Sequence, residues 1–197
     1  MESAIFGLVG VALGALLAVA REWWFQSRKN RKDAEYLSVL VSCELERYVA
    51  RCAEVVGDNG LSEGQRDING YCTIQVDEPK FEPLALGVDW KSLPAGLMYE
   101  ILDFPYTAEV AKQKVSAAFE YAATPPDFDE GFEERQLQYA TLGIAASQLV
   151  TKLRDYAGFP ARSLGEWNSV QYMEEQKAAI ELHRKERASA HRPLSKQ

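Results

Sequence analysis

The chain has 197 residues, of which 47% are hydrophobic and 26% charged, and it carries a net charge of −7. It is too apolar and aromatic to be disordered throughout, and long enough for one modest domain plus an appendage. The acid excess argues against a nucleic-acid partner, which would need a concentrated basic face to meet phosphates.

The charge is unevenly placed. Residues 1–32 hold five bases against two acids, and residues 183–197 hold five bases against one acid. The body between them, 33–182, is therefore more acidic than the whole, as suits a solvated domain surface. These three stretches are the expected divisions: an N-terminal anchor with a basic juxtamembrane segment, a helical domain, and a basic tail.

Seventeen apolar or small residues run from Ala4 to Ala20. As a helix they span roughly 25 Å, against a hydrocarbon core of about 30 Å. The strongly apolar residues, among them Ile5, Phe6, Leu8, Leu13, Leu16 and Leu17, favour insertion by about 3–5 kcal/mol in sum. Trp23 and Trp24 fall where an interfacial aromatic belt belongs. An export signal would explain Ala18-Val19-Ala20 as a cleavage triplet. However, no base precedes the run and a basic cluster follows it. A core helix would need a polar face, and residues 4–20 have none. The expectation is thus a retained transmembrane helix. Arg28, Lys29, Arg31 and Lys32 lie C-terminal to it, so the positive-inside rule puts the N-terminus outside and the domain in the cytoplasm. Gly10, Gly14 and Ala18 form a small-residue row of the kind that packs helices closely in lipid.

No Pro or Gly interrupts residues 31–56. Leu37, Val41, Leu45, Tyr48, Cys52 and Val55 make one helical stripe, either a coiled-coil seam or the inner face of a bundle. Gly57-Asp58-Asn59-Gly60 should end that helix. Residues 61–91 read as a long ordered connection with a short edge strand over Cys72–Val76. A helix capped by Ser92 should stop at Pro105, and a second, capped by Thr107, at Pro125-Pro126. The acids from Asp127 to Glu134 miss the calcium-loop spacing and instead suit the first turn of a helix running to about Tyr156. Ser163-Leu-Gly-Glu166 is a capping box. It should open a last helix with Trp167, Val170, Met173 and Ile180 inward, fraying beyond His183. The fold expected is all-α: a single transmembrane helix and a bundle of about four or five helices.

No chemical motif stands out. Cys43, Cys52 and Cys72 lack disulfide or zinc spacing. Cys43 and Cys52 sit among apolar residues and read as buried thiols. There is no phosphate loop, no zinc-protease helix and no nucleophile elbow. His183 and His191, both in the charged tail, leave little for a triad. Neither catalytic residue, nor cofactor, nor metal is expected. The layout resembles that of small single-span bacterial and prophage proteins with a cytoplasmic helical domain, without a diagnostic motif. The reading is a non-enzymatic protein that holds or senses a protein partner at the membrane, or self-associates. The rivals are a membrane-perturbing phage lysis or defence effector assembling through its span, and a tethered enzyme with a carboxylate site.

Overall fold

The computed structural model describes the backbone of residues 2–160 and 167–190, and side chains from residue 14 onward within those ranges. Among the described residues the regular structure is all helical. Four helices follow in order: α1 (Glu2–Gly57), α2 (Ala95–Tyr121), α3 (Asp129–Ala157) and α4 (Ser169–Ala190).

The lower half of α1 forms because nothing interrupts its stripe. Leu37, Val41, Leu45, Tyr48, Cys52 and Val55 are all buried. They face the chain's own helices, chiefly α3, so the stripe is the inner face of a bundle. α3 is the central helix: α1, α2 and α4 all pack on it. Arg154 reaches from α3 to Glu46 of α1 at 2.7 Å. α4 runs antiparallel to α3, with Met173 beside Gly143 and Arg184 beside Glu133. A side chain at Gly143 would stand 2.4 Å from Met173 Sδ and 2.9 Å from Cys52 Cβ. Three helices therefore meet where only glycine fits.

The connection wraps over the bundle. Phe81 is buried, and Val76, Leu86, Val88 and Trp90 pack against the core. Tyr48, Phe81 and Phe104 meet edge-to-face, with Tyr48 5.3 Å and Phe81 5.9 Å from Phe104, which ties α1, the connection and α2 together.

Several expectations are corrected. No strand forms among the described residues. Over Cys72–Val76 the amides donate to Pro126, to Gly60 and to the Asp58 side chain rather than to a neighbouring strand. Ser92 closes a short 3-10 turn, and α2 begins at Ala95. Pro105 lies inside α2. Ile101 and Phe104 before it, with Ala111 and Val115 after it, are buried, and that packing offsets a local cost of about 3 kcal/mol. The two helices expected there are one. Cys43 is exposed, not buried, because it lies on the face of α1 opposite the stripe. Trp167 precedes α4 and is 64% exposed, 5.2 Å from the Tyr172 ring. Asn168 caps α4 by accepting from the Val170 and Gln171 amides. The capping box at 163–166 lies outside the described residues. Met173 and Ile180 are buried as expected.

Candidate functional site

Two features are not accounted for by packing alone: an uncovered shaft and a buried polar clamp.

The shaft is the first half of α1. Every described residue from Gly14 to Asp33 is exposed, and Ala34 is the first buried one. These twenty residues carry the helix about 30 Å beyond the bundle. Leu16, Leu17, Val19, Trp23, Trp24 and Phe25 are each more than half exposed. An isolated helix with so much apolar surface in water has no tertiary support. Arg28 lies over the Trp24 ring at 4.6 Å and Arg21 over Phe25 at 5.5 Å, so the aromatic and basic residues form one collar. Arg28, Lys29, Arg31 and Lys32 are all exposed, and Arg31 pairs with Glu35 at 3.0 Å. Gly14 has open space around it, and Ala18 is exposed. The side chains of Ile5, Phe6, Leu8, Gly10 and Leu13 lie outside the described residues. Among the described residues no helix is long and apolar enough to cross a membrane; from Gly14 only seven residues of the apolar run remain before Arg21.

The clamp sits where α1 ends. Asp58 and Arg135 are fully enclosed, with Arg135 Nη1 donating to Asp58 Oδ2 at 2.8 Å. Asp58 also accepts from the amides of Gly60 at 2.9 Å, Gln75 at 2.9 Å and Val76 at 3.1 Å. Arg135 donates to the Val76 carbonyl as well. Burial alone would raise the Asp58 pKa. The three amides and the guanidinium outweigh it and hold the carboxyl below the usual range. This pair fastens the connection to α1 and α3. Sequence reasoning missed it, although a signal existed. Arg135 falls in phase with Phe132, Tyr139, Leu142 and Ala146, all buried, and a charge on a core face needs a partner.

A second polar cluster joins α4 to α3. Glu133 accepts from Arg184 Nε and Arg187 Nη2 at 2.6 Å each, and His183 Nδ1 lies 3.3 Å away. Arg184 also pairs with Glu134 at 2.8 Å. Burial raises the Glu133 pKa, but the arginines outweigh it and the net shift is downward. Residues 183–190 thus stay helical where fraying was expected, held to α3 through Arg184 and Arg187. A shallow groove of about 440 Å³ beside them is lined by Ala118, Ala122 and these paired charges. Residues 191–197 lie outside the described residues.

Among the other described reactive groups, Cys43 is an exposed free thiol, while three buried groups are inert. Burial pushes the Cys52 thiol and the Tyr48 and Tyr139 hydroxyls well up, so all three are neutral at physiological pH. In a polar cleft of about 410 Å³, Asp127 accepts from Arg66 at 3.0 Å and 2.5 Å, with Cys72 Sγ at 3.6 Å. Phe104 is buried and Trp90 packs on the core, while Tyr99 and Tyr106 are exposed. No group of three metal-ligating residues occurs among the described residues.

No protein-family model, curated protein sequence or solved structure matches the chain.

Proposed function

We propose that this is a single-pass membrane protein of a bacterial inner membrane, with its N-terminus outside and its bundle in the cytoplasm. Its function is to hold or sense a protein partner at the cytoplasmic face, without catalysis. The observation that carries the reading is the shaft. Large apolar side chains stand uncovered from Leu16 to Phe25 and are followed directly by an exposed basic collar. That order, apolar span then tryptophans then bases, is the order of a membrane boundary crossed toward the cytoplasm.

Because α1 is one unbroken helix from the shaft to the clamp at Asp58, the bundle is attached to the anchor without a flexible joint. A rigid stalk suits a protein that presents a surface at a fixed height above the lipid. The non-catalytic part of the reading rests on the sequence, which spaces no nucleophile with a base and no set of metal ligands.

Deleting residues 1–20 tests it. The full chain is expected in the membrane pellet and resistant to carbonate extraction, and the shortened chain in the supernatant. An unchanged distribution would sink the proposal.

A further inference from the structure

We propose that the outer face of α1 is the seam of a parallel homodimer, in which Phe25, Tyr36, Val39, Cys43 and Ala50 each face their counterpart in a second copy of the chain. The proposal rests on the reading of α1 as an anchored shaft, because anchoring gives both copies the same direction.

At about 100° per residue, Ala18, Phe25, Tyr36, Val39, Cys43 and Ala50 fall within roughly 40° of one line along the helix. All six are exposed, with Tyr36 at 68% and Val39 at 46%. Leu37, Val41, Leu45 and Cys52, which meet the bundle, lie on the opposite side. Beside its own domain the line is apolar from Tyr36 to Ala50, and no helix of the bundle covers it there. Tyr36, Val39, Cys43 and Ala50 are spaced three, four and seven apart, the spacing of a two-helix seam. Gly14, with open space around it, continues the line and lets two backbones approach closely. Two copies joined on this face would carry their bundles on the outside, so the domains would not collide.

Charge selects the occupant and its direction. Arg28 and Asp33 flank the line on opposite sides. In a parallel pair, a residue on one flank meets the residue five further on in the partner helix, which sets Arg28 against the partner copy's Asp33 twice, once on each side. Within its own chain Asp33 makes no ion pair among the described residues. Lys29 and Lys32 lie on the same face and repel their counterparts, which interrupts close packing between Phe25 and Tyr36.

The chain supplies its own probe, since Cys43 is exposed while Cys52 and Cys72 are buried. Full-length protein in isolated membranes would be oxidised with copper phenanthroline and read on non-reducing gels, beside a fractionation of the same sample. The expected result is a band of twice the chain mass that is lost in Cys43→Ser. It returns when Val39→Cys is added to that variant, but not when Arg51→Cys, a quarter turn round the helix, is added instead. Asp33→Arg should lower the crosslinked fraction several-fold, and Arg28→Asp in the same chain should restore it. Monomer in the membrane pellet would overturn the seam while leaving the anchor standing. Equal crosslinking at positions 39, 43 and 51 would also overturn it, as random collision. A dimer crosslinked through 39 and 43 but recovered in the soluble fraction would support the seam and remove the anchor.

Discussion

Asp58→Ala is expected to destabilise the bundle by about 3–5 kcal/mol, because it strands a buried guanidinium. For a chain of this size that lowers the midpoint of thermal unfolding by roughly 6–20 °C. The measurement is circular dichroism of the full chain in detergent. Arg135→Met should cost less. It removes the charge with its donors, whereas Asp58→Ala orphans the amides of Gly60, Gln75 and Val76 as well. The double variant should recover only part of the loss, since those amides stay unsatisfied. Full recovery would mean that the pair is dispensable and the connection is held by its apolar contacts. The pH dependence has a fixed sign. The Asp58 pKa is depressed in the folded state, so its stabilisation is complete above the unfolded value of about 3.9. It is lost as pH falls through the folded value. Below about pH 4 the native protein should therefore lose stability more steeply than Asp58→Ala does.

The second large effect is on the anchor. Leu13→Arg with Leu16→Arg exchanges two apolar residues of the span for charges. Near the centre of a span each arginine costs about 2.5–3.5 kcal/mol and each leucine lost forfeits about 0.3–0.6, roughly 6–8 kcal/mol together. That exceeds the about 3–5 kcal/mol that the strongly apolar residues contribute, so insertion reverses sign. The variant is expected in the soluble fraction, with the bundle's unfolding midpoint unchanged, because Leu16 lies on the shaft and is 67% exposed. Retention in the membrane would show that the shaft is held by something other than burial in hydrocarbon.

Much of the fold was legible because its period was clean. The stripe from Leu37 to Val55 has one helical reading, and the structure buries all of it. The ends at Gly57, Tyr121 and Gly158 follow turn residues that the sequence displays. Pro105 misled because local propensity was read without the tertiary packing that overrides it. Cys72–Val76 misled because alternation resembles a strand whether or not a partner exists. The clamp was legible only in part: Arg135 sits at a core phase, but its partner lies 77 residues away in a turn, and no local pattern joins them. The clasp of Arg184 and Arg187 on Glu133 was hidden in the same way, since a charged helix end reads as solvated until a second helix lies beside it.

The central claim is that the shaft crosses a membrane toward the cytoplasm. Its most direct test fuses to the C-terminus, in parallel, a reporter active only in the cytoplasm and one active only in the periplasm, and reads the mass of each fusion in the membrane fraction. The account predicts activity from the cytoplasmic reporter alone, on a full-length chain in the membrane. Activity from the periplasmic reporter, or a chain shortened by about the length of the apolar run, would contradict it.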